Sequence, residues 1–355
     1  MPSPAPSRVV SARRARAALA LAAALCLAVP GARAALPWYD VVALPDVGDG
    51  ATLPNAMNNR GAVTGEARLG KHMDGEGTAY VLRGKRVTRM HQPAPGQASE
   101  GRGINDHGVV VGNEGLQVAN GEPRGFIWDR HGVTRLDVPT AMAITNDGTV
   151  VGDFDFQAIY RLRQGQYHLT GLPPEFSYGF AKAANARGDV LVDGHPWNGT
   201  PGYRVLVHRE DTGWTDHGTL GGDFANGLAI NRAGTVVGLV YWNRGSGRTV
   251  RAFVLKDGVT SLFGSDAVWA EARLSGINEA GVAVGSTRGP DGEGHAFAVD
   301  TDGQSAVNLN RRLAAGHAGW TLLDARAIND RGEIVGRGLL HGQSAGFLLV
   351  PRAAH

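Results

Sequence analysis

The sequence predicts an all-β fold, a seven-bladed β-propeller of four-stranded antiparallel blades, on three observations. A strand–turn–strand unit recurs seven times along the chain. Each recurrence leads into a third short apolar run, and all but the last into a fourth. The run missing from the last copy has an unattached counterpart, Trp38 to Leu44, near the other end of the chain.

The unit is clearest in Ala327-Ile328-Asn329-Asp330-Arg331-Gly332-Glu333-Ile334-Val335-Gly336. It returns at Gly276-Ile277-Asn278, Ala229-Ile230-Asn231, Ala143-Ile144-Thr145, Gly103-Ile104-Asn105 and Ala56-Met57-Asn58. Each of these has one Gly three residues after the anchor and another seven after it. A weaker copy, Ala183-Ala184-Asn185, keeps Gly188 but has Val192 in place of the closing Gly. The anchors are spaced by 40 to 51 residues, and only Thr145 is not Asn. An Asn side chain folds onto nearby backbone N–H groups and starts a turn. The Gly three residues later accepts the positive φ that a bulged hairpin needs. The Asn positions are therefore read as structural. A ring of Asn ligands is the alternative, and Thr145 leaves a gap in it.

The third strands start small and then bulky: Ala79-Tyr80, Gly125-Phe126, Ala158-Ile159-Tyr160, Ala252-Phe253, Ala296-Phe297 and Gly346-Phe347, with Tyr203 to Val207 in the fourth repeat. A turn such as Asp257-Gly258 or His131-Gly132 follows, and then a fourth strand such as Val259-Thr260-Ser261-Leu262. Four antiparallel strands per 40–50 residues make a propeller blade. Supplying the last blade with the N-terminal strand closes the ring and removes both sheet edges. Small residues crowd the first strands (Ala141, Ala181, Ala183, Gly227, Ala229, Gly276, Ala325, Ala327), as expected where blades converge on a narrow channel. Bulky third-strand residues are expected to fill the space between blades.

Residues 1–34 read as a cleaved signal peptide, and 35–355 as a single seven-repeat domain. Arg8, Arg13, Arg14 and Arg16 precede an apolar run, Ala17 to Val29, that is too short and Ala-rich for a good membrane span. Ala32-Arg33-Ala34 matches a cleavage site. The segment holds five Arg and no acid, so its removal takes the net charge from +2 to −3. That excludes a general basic surface for nucleic acid. It also removes Cys26, the only cysteine, leaving a thiol-free chain suited to export. No later run is long and apolar enough for an integral membrane segment. The expected location is extracellular or periplasmic, and the expected state is a monomer.

Taken together, Gly294-His295-Ala296-Phe297, the stretch Asp216-His217-Gly218-Thr219-Leu220-Gly221-Gly222 and the recurring Ile-Asn-x-x-Gly-x-Val-Val-Gly units resemble the HAF-repeat family of bacterial exported proteins. The resemblance covers nearly all of the chain after residue 34. Only one copy carries His-Ala-Phe, and only one the Gly-Thr-Leu-Gly-Gly turn. It implies a repeat architecture and export, and carries no catalytic residue with it.

In a propeller the turns joining the first to the second strand and the third to the fourth share one face. The remaining connections share the other. Here the first set is short and regular and the second variable, and loops on a rigid scaffold are where function concentrates. The candidate binding residues therefore come from the second set: His72, Phe176, Tyr178, His195, Trp197, Tyr241, Trp242, Arg244, Arg288, Asp291, His317 and Trp320. Aromatic faces beside polar groups suit a glycan, a small polar molecule or a protein surface.

Other motifs read as coincidence or turn chemistry. Gly342-Gln343-Ser344-Ala345-Gly346 has the spacing of a nucleophile elbow, but a strand follows it and the only later His is His355. Asp300-Thr301-Asp302-Gly303 and Asp153-Phe154-Asp155 hint at calcium, yet neither completes a calcium loop. No cofactor is expected, with calcium as the lesser alternative, and the sequence assigns no catalytic residue. The leading expectation is a non-enzymatic binding or scaffold propeller that presents its loops to a glycan, small molecule or protein. The alternative is a polysaccharide hydrolase or lyase at the mouth of the central channel, which needs two carboxylates facing one bond.

Overall fold

The computed structural model describes residues 36–46, 52–68, 77–90, 98–115, 123–197, 202–244, 247–264, 270–289, 292–302 and 305–352. The first strand, β1 (Tyr39–Ala43), belongs to the last blade. Blade 1 comprises β2 (Thr52–Met57), β3 (Val63–Arg68), β4 (Gly77–Arg83) and β5 (Arg86–Arg89). Blade 2 comprises β6 (Ser99–Ile104), β7 (Val110–Glu114), β8 (Arg124–Asp129) and β9 (Gly132–Arg135). Blade 3 comprises β10 (Ala143–Ile144), β11 (Val150–Asp155), β12 (Ala158–Arg163) and β13 (Gln166–Gly171). Blade 4 comprises β14 (Phe176–Ala184), β15 (Val190–Pro196), β16 (Arg204–Arg209) and β17 (Gly213–Asp216). Blade 5 comprises β18 (Phe224–Ile230), β19 (Val236–Arg244), β20 (Gly247–Lys256) and β21 (Val259–Phe263). Blade 6 comprises β22 (Ala270–Ile277), β23 (Val282–Arg288), β24 (Gly294–Asp300) and β25 (Ser305–Asn308). Blade 7 comprises β26 (Trp320–Ile328), β27 (Ile334–Leu340) and β28 (Gln343–Pro351), with β1 as its fourth strand.

The chain is thus a seven-bladed β-propeller of antiparallel sheets. β1 closes it by pairing with β28, from Tyr39 opposite Pro351 to Ala43 opposite Phe347. Among the described residues, no helix is long and apolar enough to cross a membrane.

The recurring unit forms the turn between the first two strands of every blade. Gly61, Gly108, Gly148, Gly188, Gly234, Gly281 and Gly332 all have φ between +76° and +88°. The anchor Asn oxygen accepts backbone N–H groups inside its own turn, as Asn58 Oδ1 does from Arg60 and Ala62. Its amide does something the sequence did not reveal. It donates to the carbonyl of the next blade's anchor, at 2.8 to 3.2 Å, from Asn58 to Asn105, Asn105 to Thr145, Asn185 to Asn231, Asn231 to Asn278, Asn278 to Asn329 and Asn329 to Asn58. The residue after each anchor adds a second ring. The N–H groups of Asn59, Asp106, Arg232, Glu279 and Asp330 donate to side chains of Asp106, Asn146, Glu279, Asp330 and Asn59. Thr145 has no amide, and its hydroxyl turns back to Asp147 and Thr149. Ala186 has no acceptor to offer blade 3. The seam between blades 3 and 4 is held instead by buried Arg161, which donates to Gly188 O at 3.1 Å and meets His208 Nδ1 at 3.0 Å.

The closing Gly of each unit has a packing cause. Gly65, Gly112, Gly152, Gly238, Gly285 and Gly336 sit opposite the third-strand rings Tyr80, Phe126, Tyr160, Phe253, Phe297 and Phe347. All six rings are fully buried. A Cβ on Gly336 would lie 2.1 Å from Asp324 O and 2.5 Å from the Phe347 ring. In blade 4 both partners change together: Val192 faces Leu206. The weaker copy is a volume-compensated one.

Apolar clusters lie between neighbouring blades. One combines Leu191, Val205 and Val207 of blade 4 with Ala225, Val240 and Phe253 of blade 5. The small first-strand residues set the spacing of these junctions: a Cβ on Gly227 would come within 2.7 Å of Leu191. The expectation that only small side chains fit at the axis is corrected here. A register shift interrupts β2, β6, β14, β18, β22 and β26 just before the turn. Such a bulge re-aims one side chain, and the residues it frees include Asn55, Arg102, Lys182 and Arg326. Arg326 of blade 7 acts electrostatically on Glu100 of blade 2, across blade 1, which places both at the axis.

Candidate functional site

The face opposite the repeated turns carries connections of uneven length, from the two-residue turns Phe156-Gln157 and His341-Gly342 upward. Among the described residues it carries a cleft of about 510 Å³ spanning blades 5 to 7. β19 and β20 supply Tyr241 and Arg248, and β22 supplies Glu271 and Arg273. Arg288, Glu293, Asp324 and Arg337 complete the polar lining. The guanidinium of Arg248 lies 4.6 Å from the centre of the Tyr241 ring, and Phe224 meets that ring edge-on at 6.2 Å. This builds a flat aromatic wall with a cation on it.

The floor is an ion-paired network. Asp324 is buried at the base and accepts from Arg273 at 2.9 Å and Arg326 at 2.5 Å through Oδ2. Arg273 also donates to Ser286 Oγ at 3.0 Å. Asp324 Oδ1 and Arg337 Nε are buried with no hydrogen-bond partner among the described residues. Buried polar atoms are normally satisfied, so these two mark a place where the cleft has unspent hydrogen-bonding capacity. Glu271, on the wall, has φ +53° and sits 3.7 Å from Arg288. The other described non-Gly residues with positive φ, such as Asp257 and His341, precede a Gly in a tight turn. Glu271 does not, and backbone strain of this kind collects at functional positions.

The twelve expected residues do not form one site. Tyr241 and Arg288 line the cleft. Trp242 points the other way on the same strand, donating Nε1–H to Gly221 O at 2.9 Å under Arg251. Tyr178 and His195 stack in blade 4, with centroids 4.6 Å apart and planes 6° apart. Tyr203 packs edge-on against both. Burial and the hydrogen bond with Tyr178 push the Tyr203 hydroxyl pKa up. Trp197, at the end of this region, is half exposed. Arg244 ends β19, and its side chain lies outside what is described, as do His72 and Asp291 altogether.

One of the expectations needs correcting, and two more residues carry contacts of their own. Phe176 is buried in the blade 3–4 core, where the Arg204 guanidinium lies 5.9 Å from its ring centre, so it presents no surface. His317 contacts Asp40 Oδ1 at 2.9 Å and so helps to fasten the closing strand. Arg352 donates to the same oxygen at 2.7 Å, and the two partners hold the Asp40 carboxyl at a pKa of about 2. Trp320, half-buried, packs edge-on against Phe347 beside the blade 7 core.

Arg248, Arg273, Asp324, Arg337 and Glu271 escaped the sequence reading because they lie within strands. One signal could have found some of them. The position five residues before the anchor runs Leu53, Glu100, Thr140, Phe180, Asn226, Arg273, Asp324, a column far more irregular than its neighbours.

Two buried carboxylates on second strands are already engaged. Asp193 accepts from Gly227 N–H at 2.8 Å and from Asn226, with Lys182 at 3.3 Å, and burial pushes its pKa up. Asp153 accepts from Ala181 N–H at 2.7 Å and from Thr140, and burial raises it to about 6. Asp302 pairs with Lys256 and Asp155 accepts from Gln157 N–H, so turn and blade contacts occupy both Asp pairs of the calcium-like motifs. Ser344 lies exposed on β28, in a strand and not an elbow.

No protein-family model matches the chain, and a search of curated proteins finds no match. Solved structures do. The chain is similar to the β-propeller domain of the Trilobed protease from Pyrococcus furiosus, described as having an open velcro topology. The TM-score is 0.51 at 10% identity, over 73% of this chain and 86% of that one. A gluconolactonase from Xanthomonas campestris aligns with a TM-score of 0.44 at 17% identity, over 88% and 99%. A puromycin-hydrolyzing peptidase from Mycobacterium tuberculosis gives 0.42 at 14%, over 86% of this chain but only 61% of that protein. Their activities differ and their identities are low, so what the comparisons show is the propeller fold.

Proposed function

We propose that this chain is an exported, non-enzymatic binding propeller of the HAF-repeat kind, and that it holds a hydroxyl-rich ligand, a glycan or glycan fragment, in the blade 5–7 cleft. The observation that carries the reading is the pairing of an aromatic wall, Tyr241 under Arg248, with a floor that keeps unspent donor and acceptor atoms at Arg337 and Asp324. A sugar presents an apolar ring face to the first and hydroxyls to the second. Cleavage of a polysaccharide at the channel mouth is the weaker reading. It needs a pair of carboxylates free to face one bond, and Asp193 and Asp324 are both committed to cations.

The test is a thermal-shift screen of residues 35–355 against neutral oligosaccharides. A ligand at 100 times its dissociation constant stabilises by about 2.7 kcal/mol, enough to raise the unfolding temperature visibly. A shift with one sugar class, without release of product on prolonged incubation, supports the reading. Product release moves the protein to the enzymatic alternative, and silence across the panel removes the glycan reading.

A further inference from the structure

We infer a second binding site on the opposite face, a cleft between blades 1 and 2 that takes an anionic oligosaccharide. It is the larger depression, about 1140 Å³. Arg60, Arg83, Arg86, Arg130, His107 and His131 line it, and Asp129 is the one carboxylate among its described lining residues. Asp129 Oδ1 accepts the backbone N–H of His131 at 2.7 Å within its own turn, and its single negative charge is outnumbered by the four guanidinium groups. Val81, Val110 and the half-buried Trp128 add apolar wall beside Thr88.

Comparison with equivalent junctions shows what is unusual here. Between blades 3 and 4, the cation ending the third strand, Arg163, pairs with Glu210 in the next blade's outer turn at 2.7 Å. Between blades 5 and 6, Lys256 pairs in the same way with Asp302. Between blades 1 and 2, the corresponding cation is Arg83, which donates to Gly108 O at 2.8 Å. The corresponding outer turn presents Arg130 and His131 where the others present an acid. Arg130 Nε–H donates to His131 Nε2 at 3.0 Å, inside a turn whose one acid, Asp129, caps the His131 N–H. The junction therefore gathers positive charge that the blade 3–4 and blade 5–6 junctions neutralise.

Guanidinium groups bind carboxylate and sulfate oxygens through paired, charge-assisted hydrogen bonds. An indole beside them accepts the face of a sugar ring. An oligosaccharide bearing sulfate esters or uronate carboxylates offers both, and the volume holds more than a lone ion.

The experiment is calorimetric titration of residues 35–355 with three tetrasaccharides: sulfated, uronate and neutral. The variants are Arg130→Glu, which installs the acid that blade 4 carries at this position, and Arg86→Gln, which leaves the turn untouched. The sulfated or the uronate compound is expected to bind, with affinity falling as salt rises, and the neutral one is not expected to bind at this cleft. The arm that binds identifies the anion. Each variant should weaken that binding at least tenfold without lowering the unfolding temperature, while Tyr241→Ala leaves it unchanged. No binding by either anionic compound, or equal affinity in both variants, overturns the inference.

Discussion

On the turn face, the anchor amides of Asn58, Asn105, Asn185, Asn231, Asn278 and Asn329 repeat one contact from blade to blade. On the loop face, the Tyr178–His195 stack belongs to blade 4, the Arg248–Tyr241 contact to blade 5 and the Arg273–Asp324 pair to blades 6 and 7. The first pattern follows from geometry. Every blade must turn in the same way and meet its neighbour at the same distance, so one residue serves seven times or nearly so. The second follows from no such constraint. Repetition marks what holds the ring, and irregularity marks what the ring presents. The cleft between blades 1 and 2 fits the same rule, since it arises where a repeated cation–acid pair of the turn face is broken.

The largest effect is expected where the ring closes. Asn329→Ala removes the donor to Asn58 O and the acceptor for the N–H groups of Arg331 and Glu333. Buried groups left unpaired should lower stability by about 3 kcal/mol, read from denaturant unfolding. A loss no larger than that of an exposed loop substitution would erase the distinction between the faces.

A smaller effect, with a defined sign, belongs to Asp153. Its folded pKa of about 6 lies above the ordinary carboxylate value, so the folded state holds the proton more tightly than the unfolded chain. Its contribution to stability therefore falls as pH rises from about 4 to about 6. Asn113 occupies the matching place in blade 2 and accepts Ala141 N–H at 2.8 Å, so an amide suits the site. Asp153→Asn should change little at pH 4 and gain on the order of 2 kcal/mol at pH 7. A variant less stable than the parent at pH 7 would show that the charge is needed.

Smallest is the repair of the broken seam. Thr145→Asn restores the one amide absent from the ring and lets it reach Asn185 O. The expected gain is about 1 kcal/mol, seen as a higher denaturation midpoint. A loss would mean that the turn-back of Thr145 onto Asp147 and Thr149, together with Arg161, has made this seam self-sufficient.

The ring was legible because its determinants are local: an Asn and a Gly three residues apart specify a turn wherever they occur. The blade number and the closing role of Trp38 to Leu44 followed from counting strands. The links between Asn side chains were not legible, because each partner lies a whole repeat away, or 271 residues away for Asn329 and Asn58. The candidate sites were less legible still. Phe176 is aromatic at a strand start and so looked exposed, yet packing buries it. Arg60, Arg83, Arg86 and Arg130 looked like ordinary surface charge, since only folding brings two repeats together around one cleft. Aligning Arg130 with Glu210, and His131 with Asp302, along the repeats would have exposed the anomaly.

The most direct test of the division between the faces is one calorimetric titration series. The best neutral oligosaccharide from the thermal screen is titrated into the parent, Tyr241→Ala and Asn329→Ala proteins at a temperature where all three are folded. The account predicts that Tyr241→Ala unfolds like the parent and loses the ligand at least tenfold, while Asn329→Ala is markedly less stable and binds like the parent. Parent-like affinity in Tyr241→Ala, or loss of affinity in the folded Asn329→Ala protein, would contradict it.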